Sequence, residues 1–353
     1  MRRLWTPRAW IVLAGLAFGA LAAMMTVWGN PPNMGICVAC FMRDIAGGIG
    51  LHQASVVQYI RPEIMGFVLG AFASSLAFRE FRSRGGSSPL IRFFLGAFMM
   101  VGALVFLGCP IRALLRLAGG DLNGITALAG VVAGAAIGII FLKRGFTMGR
   151  ATGVPAMAGW VMPVAMVGLL LLAIFVPGFI FASESGPGAM HAALGISLAV
   201  GLGVGFMAQR TRMCFVGGWR DLIMVRDTYL FSGIAAFFIA AIIANAVLGS
   251  VSWGFVGQPV AHDDHLWNFL GMLLVGLSGT LLGGCPLRQA ILSGEGDIDA
   301  GVTVLGLIVG AAFSHNFLLA SSPSGTGTFG PAAVLVGIAF CCAVGLMMRE
   351  QVT

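Results

Sequence analysis

Long apolar stretches, interrupted by short clusters of arginine, glycine and proline, set the frame of this chain. A helix needs about 20 mostly apolar residues to cross a bilayer. On that measure the pattern predicts spans at Ala9–Gly29, Glu63–Phe78, Arg92–Leu107, Gly124–Leu142, Trp160–Ala182, Met190–Gln209, Thr228–Gly249, Leu266–Gly283, Ala300–Ala320 and Pro331–Met348. The fold class that follows is an all-α polytopic membrane protein of about ten spans. Four apolar stretches are too short to cross. From Cys109 to Asp121 is 12 residues, about 18 Å as a helix, against a hydrocarbon core of about 30 Å. The stretch after Cys285 is equally short, and those after Cys37 and Cys214 follow the same pattern. All four are expected to be re-entrant half-helices, because irregular backbone at membrane depth survives only where protein buries it or where it lines a cavity.

Composition agrees. The 353 residues are 58% hydrophobic and 9% charged, with 53 glycines, whereas a soluble domain carries about 25% charged residues. The net charge of +7 is not a nucleic-acid footprint, since the arginines fall in short loops where they set orientation. Arg2, Arg3 and Arg8 place the amino terminus in the cytoplasm. Arg79, Arg82, Arg84 and Arg92 follow the second span, Lys143, Arg144 and Arg150 the fourth, and Arg210, Arg212, Arg220 and Arg226 the sixth. The loops assigned outside, Ser183–Gly188 and Ser250–His265, lack Lys and Arg. An even number of crossings then puts both termini in the cytoplasm, in an inner (plasma) membrane. The first span is expected to belong to the fold rather than to a cleaved signal, because it precedes Cys37 as the sixth precedes Cys214.

One cysteine–arginine pattern occurs twice. The first half carries Cys37-x5-Arg43-Asp44, then Gly108-Cys109-Pro110-Ile111-Arg112 and Gly120-Asp121. The second carries Cys214-x5-Arg220-Asp221, then Gly284-Cys285-Pro286-Leu287-Arg288 and Gly296-Asp297. The orientation rule makes the first pair of half-helices enter from outside and the second pair from the cytoplasm, so the repeats are expected to be inverted. The expected organisation is a first repeat over 1–150, a linking span over 151–189, a second repeat over 190–320, and a last span and tail over 321–353. Inverted repeats with broken helices near the midplane are a transporter architecture.

Proline is favoured at the first position of a helix, so Gly-Cys-Pro places Cys109 and Cys285 at helix N-termini, where N–H groups and the dipole favour negative charge and the thiolate. A bland alternative is a small residue packed at a turn. Arg112 and Arg288 follow one helical turn later, and arginine at membrane depth marks a pathway or a partner. Arg116 has no counterpart and is expected to snorkel. Asp121 and Asp297 are expected to cap the next span or to neutralise Arg112 and Arg288. Arg43–Asp44 and Arg220–Asp221 are neighbours that do not face each other on a helix, so each is expected to pair elsewhere.

Cys37-x-x-Cys40 suits a redox disulfide or half a zinc site. No second Cys-x-x-Cys or histidine cluster accompanies it, so no metal is expected, and Gly217 stands where Cys40 would align. Cys341 and Cys342 read as packed hydrophobes, His52 and His315 as buried polar groups, and His262 and His265 as flanks of an acidic loop. The candidate substrate pathway is Cys37, Cys109, Cys214, Cys285, Arg112 and Arg288, with Cys40, Arg43 and Arg220 as auxiliaries. No ATP-binding loop is present, and neither a cofactor nor an enzymatic role is expected.

The stretches Met34-Gly35-Ile36-Cys37-Val38-Ala39-Cys40-Phe41-Met42-Arg43-Asp44 and Arg212-Met213-Cys214-Phe215, with both Gly-Cys-Pro-x-Arg elements, resemble the YeeE/YedE sulfur-transport family, and in particular its YedE-like members associated with selenium. The resemblance implies uptake of an inorganic selenium or sulfur species through an hourglass-shaped bundle whose central cysteines hand the substrate along. That role carries onto Cys37, Cys109 and Cys285, with Cys214 as a further candidate. It also implies a small cytoplasmic sulfur carrier of the TusA type as partner, beside the lipid bilayer itself. The alternatives are thiosulfate-specific uptake, a passive anion channel, and a membrane thiol–disulfide oxidoreductase using Cys37 and Cys40.

Overall fold

The structure is a computed structural model and describes residues 6–349; Arg2 and Arg3 of the basic start lie outside the described residues. In chain order the helices are α1 (Pro7–Val27), α2 (Val38–Gly48), α3 (Pro62–Ala77), α4 (Pro89–Phe106), α5 (Pro110–Ala118), α6 (Asn123–Lys143), α7 (Ala156–Gly159), α8 (Val161–Phe175), α9 (Gly186–Ala189), α10 (Leu194–Thr211), α11 (Gly217–Val225), α12 (Tyr229–Val247), α13 (His265–Leu281), α14 (Pro286–Gly294), α15 (Ile298–Asn316) and α16 (Gly330–Met347). The described strands are a two-residue pair, β1 (Arg84–Gly85) antiparallel to β2 (Thr152–Gly153), with Arg84 opposite Gly153.

Among the described residues, seven helical stretches are long and apolar enough to cross a membrane, and two of them, Pro89–Ala118 and His265–Gly294, join a span to a half-helix. The apolar α3 and α8 are shorter, and α10 ends on the polar Gln209-Arg210-Thr211. The chain is an all-α polytopic membrane protein. Its half-length helices are α2, α5, α11 and α14, of 9 to 11 residues. Proline at the first turn starts α1, α3, α4, α5 and α14, where its missing N–H leaves nothing unpaired.

Two predicted boundaries moved for identifiable reasons. The span predicted to reach Ala182 stops at Phe175, because Pro177 opens a short 3-10 turn. The span predicted from Met190 begins at Leu194. Met190 stays extended, and its carbonyl accepts a hydrogen bond of 3.0 Å from Arg61.

Loops gather at two ends. At one, Arg84 pairs with Asp297 at 2.8 Å, Arg82 N donates to Glu295 O, Thr147 N donates to Met348 O, and Arg210 pairs with Glu80 at 3.0 Å. At the other, Gly254 N donates to Gly120 O, Ser183 N donates to Gln58 O, and Thr326 donates to Asp264. Those two donors hold the Asp264 carboxyl below the usual carboxylate range. The arginines of the interhelical loops, apart from the buried Arg61, collect at the first end; Glu184, Asp263 and Asp264 lie in segments of the second.

The closest packing runs between halves of the chain: α1 lies on α12, α3 on α10, α4 on α15 and α6 on α13. Small residues allow these backbones to touch, which is how membrane helices associate without a hydrophobic gradient between them. Gly66 faces Gly201 across α3–α10, and a Cβ at Gly134 in α6 would lie 2.0 Å from Leu273 O in α13. Gly134→Leu is therefore expected to force α6 off α13, at a cost of at least about 1–3 kcal/mol. The check is monodisperse yield and thermal midpoint in detergent. Gly203→Ala, at a site with nothing within 4 Å, should match the parent protein.

Candidate functional site

The local chain path at the first thiol cluster is set by a break in a helix. Leu107 adopts the left-handed conformation (φ 65) and ends α4, and Gly108 N bonds back to Ala103 O at 2.7 Å. Cys109 then caps α5, with Pro110 in its first turn. A Cβ on Gly108 would meet the Arg112 stem at 2.8 Å, and one on Gly284 would meet the Arg288 stem at the same distance. The glycine of Gly-Cys-Pro-x-Arg makes room for its own arginine to fold back across it.

Cys37 caps α2, and its Sγ accepts the Cys40 N–H at 3.4 Å. Its sulfur lies 2.9 Å from Cys40 Sγ and 3.8 Å from Cys109 Sγ. All three thiols are free and buried. Arg112, fully buried, closes over them: Nη1 stands 3.7 Å from Cys40 Sγ and also meets Leu107 O, Nε donates to Asn33 O at 3.1 Å, and Nη2 donates to Val260 O at 2.9 Å. Among the described residues no carboxylate pairs with Arg112. A cavity of about 280 Å³ lies beside this latch, lined by Thr26, Asn33, Gly35, Leu115, Gln258 and Pro259 among others. Asn33 supplies one of the arginine's acceptors, and Pro259 precedes another.

The second cluster has two thiols. Cys214 Sγ accepts from Gly217 N at 3.2 Å and Cys285 N at 3.3 Å, and Cys285 Sγ accepts from Phe215 N at 3.4 Å. Cys285 caps α14, while Cys214 precedes Val216, the cap of α11. Gly217 occupies the place Cys40 holds in the first half, and a Cβ there would sit 3.1 Å from Cys214 Sγ. Arg288 is compensated: it pairs with Glu295 at 3.0 Å.

Several charged residues differ from expectation. Arg116 does not snorkel; it is fully buried, pairs with Asp121 at 2.5 Å, donates to Phe106 O at 3.0 Å and lies over the Phe106 ring. Asp121 therefore neutralises Arg116 rather than Arg112, while also accepting from Asn123 N. Asp297 caps α15 through Ala300 N but pairs with Arg84, not Arg288. Arg43 folds back on its own neighbour, with Nε at 2.9 Å and Nη2 at 2.6 Å from Asp44 Oδ1, and Arg220 does the same to Asp221 at 2.8 Å. Long flexible stems make contacts that helix-face geometry alone rules out. Sequence reasoning did not single out Arg61, which holds Asp44 Oδ2 at 2.7 Å and the carbonyls of Pro187 and Met190. Its signal was an arginine directly before Pro62, in a stretch after Gly50 that holds no other Lys or Arg.

The histidines form no metal cluster among the described residues. His52 stacks on His315 with centroids 4.6 Å apart and lies 3.0 Å from Arg43 O, while His315 Nε2 is buried without a partner. His262 Nε2 lies 2.7 Å from Val105 O, tying the 249–264 loop to α4.

Fold and site together define a polytopic membrane protein with buried thiols gathered at helix breaks. Residues 210–348 match the family model described as sulphur transport. A protein of Spirochaeta thermophila named thiosulfate transporter TsuA is 33% identical over 100 residues, 28% of this chain and 29% of that protein. A thiosulfate transporter TsuA of Escherichia coli is 27% identical over 115 residues, 33% of this chain and 32% of the relative. The matched stretch thus spans less than a third of either relative.

Arg116 and Asp121 are both fully buried. Removing one partner of such a pair strands the other charge at a cost of roughly 3–5 kcal/mol, whereas replacing both is far milder. Arg116→Met is expected to destabilise the protein by that amount, and Arg116→Met with Asp121→Asn to recover much of it. Unfolding followed in detergent checks this; a double variant no more stable than the single would show that the pair carries no coupling.

Proposed function

We propose that this protein carries a small sulfur- or selenium-containing anion across the membrane, past the three-thiol cluster at Cys37, Cys40 and Cys109 and then the Cys214–Cys285 pair. The observation that carries the reading is Arg112: a buried guanidinium that, among the described residues, meets carbonyls and the Cys40 thiol but no carboxylate. A charge taken out of water without a counter-ion is expensive. An anion arriving beside the thiols would offset that cost, and the adjacent cavity gives such an anion a place to wait. Thiols are weak donors and polarisable contacts, suited to sulfur or selenium and loose enough to release it.

The repeats support a two-sided path. The contacts α1–α12 and α3–α10 exchange under a swap of halves, as do α4–α15 and α6–α13, which is the behaviour of a pseudo-two-fold pair. A helix of nine residues rises about 13.5 Å, close to half of the hydrocarbon core of about 30 Å. The caps of α5 and α14 then lie near the midplane, reached from opposite ends, and the thiols form the central constriction of an inverted repeat. The basic end is cytoplasmic by the distribution of loop arginines, so the Cys37 cluster faces outside and both termini face the cytoplasm of an inner membrane. The reading extends to a TusA-like carrier as acceptor at the basic end. Whether selenium or thiosulfate is the natural cargo turns on Cys40, the thiol that the inner pair lacks.

Reconstituted protein is expected to take up labelled thiosulfate, selenite or selenide in one comparative assay. Cys109→Ala and Cys285→Ala should each abolish that uptake while reaching the membrane at normal levels, and Arg112→Gln should weaken it most at low substrate concentration. Full uptake by both cysteine variants would remove the thiols from the path.

A further inference from the structure

We infer that Cys37 and Cys40 form a redox-active dithiol that reduces the sulfane sulfur of a thiosulfate-class anion reaching the outer cluster, an inference that rests on the transport reading above. Four observations converge on it. The two sulfurs lie 2.9 Å apart, so they stand closer to disulfide bonding distance, about 2.05 Å, than Cys37 does to Cys109 at 3.8 Å. The pair sits in a Cys-x-x-Cys at the start of α2, with Cys37 as its cap. The inner cluster retains Cys214 and Cys285 but has Gly217 in place of a third thiol, so a symmetric relay leaves Cys40 without a role. Finally, Arg112 Nη1 stands 3.7 Å from Cys40 Sγ, with no carboxylate of its own, and would steady both a thiolate and an oxyanion leaving group.

Access selects the oxidant. Cys37 and Cys40 are both fully buried, which excludes protein disulfides and other bulky partners. A path made for a small soft anion delivers an oxidant of that size, and the sulfane sulfur of thiosulfate is one. The Cys37 thiolate attacks that sulfur, forming a Cys37 persulfide as the sulfur–sulfonate bond breaks and sulfite leaves with the bonding pair. Cys40 then attacks Cys37 Sγ, forming the Cys37–Cys40 disulfide and expelling hydrosulfide. The thiolate is the attacking species in each exchange. The two thiol protons leave on sulfite and sulfide, and the two electrons given up by the dithiol reside on the released sulfide. One turnover consumes the dithiol; further turnovers need a low-molecular-weight thiol to reduce the disulfide.

The test uses the full chain, reduced and in lipid nanodiscs, mixed with thiosulfate labelled at the sulfane sulfur and with no reductant present. After acid quenching and denaturation, free thiols are alkylated and mapped, and sulfite and sulfide are measured. The parent protein is expected to release sulfite and labelled sulfide in equal amounts and to lose alkylation at Cys37 and Cys40 alone. Cys40→Ser should release sulfite without sulfide and retain one labelled sulfur on Cys37, and Cys37→Ser should lose both products. Uptake into proteoliposomes is followed in parallel with a small thiol present. Undiminished uptake by the parent protein, with every thiol still alkylated and no sulfite released, would overturn the dithiol chemistry and leave transport standing. Loss of both uptake and release would overturn the transport reading and this inference with it. Equal product release by the parent protein and Cys37→Ser would also overturn the assignment.

Discussion

Four helices stop partway through an apolar slab, and the backbone groups exposed at each stop have no water to turn to. Irregular backbone at that depth persists only when protein supplies the missing hydrogen bonds. Here buried side chains supply them. Arg112 spans three carbonyls from three separate segments, Leu107, Asn33 and Val260, and Arg116 takes Phe106 O. Arg61 closes Pro187 and Met190 on the far side of the linking segment. In the second half a neutral side chain does comparable work, with Gln289 Nε2 reaching Leu282 O at 3.2 Å and Gly284 O at 3.4 Å. The cysteines accept the N–H groups that the same breaks leave free: Cys40, Gly217, Cys285 and Phe215 all donate to sulfur. Broken helices, buried arginines and thiols are therefore one arrangement seen from three sides.

That arrangement fixes where charge accumulates. A guanidinium chosen to bridge carbonyls brings a positive charge to the break, and the fold either compensates it or leaves it for a ligand. Arg116 has Asp121, Arg43 and Arg61 share Asp44, and Arg288 has Glu295. Arg112 has only dipoles. The arginine beside the Cys37–Cys40–Cys109 thiols is thus the one whose charge has no carboxylate among the described residues, which ties the proposed position of anion recognition to the mechanics of the break.

The spans and their breaks were legible in the sequence because length and hydropathy are one-dimensional properties. The proline-started half-helices α5 and α14 were legible for a local reason, since Cys-Pro sets a cap directly. The Asp297 cap of α15 was legible in the same local way, but the partners of the buried arginines were not. Helix geometry says which face a residue occupies, yet Arg43 and Arg220 reach backwards to Asp44 and Asp221 along stems long enough to ignore the face. Arg116 looked free because it lacked a repeat counterpart; what holds it is Asp121, five residues away across the turn that ends α5. The start of α10 was misplaced for a related cause. Met190 is apolar enough to extend the helix, but its carbonyl belongs to Arg61, more than a hundred residues earlier in the chain.

On the proposed inverted arrangement, Gly-Cys-Pro-x-Arg is a structural device before it is a chemical one. Glycine clears space for the arginine stem, cysteine caps, and proline starts the helix without an unpaired N–H; Arg112 reaches back over the break in the first half and Gln289 in the second. Glycine, cysteine and proline serve the same structural end in both halves, so their recurrence says little about cargo. The informative residues are those that break the symmetry. Cys40 opposes Gly217, the uncompensated Arg112 opposes an Arg288 paired with Glu295, and Arg116 has no opposite. All three excesses fall in the first half, with Cys40 and Arg112 on one thiol cluster and Arg116 farther along α5 on Asp121. A path identical at both mouths would meet an anion with equal affinity from either side. On the proposed transport reading, concentrating thiols and open positive charge at one station would give arriving and departing cargo different environments, which is the minimum a carrier needs to capture on one side and release on the other.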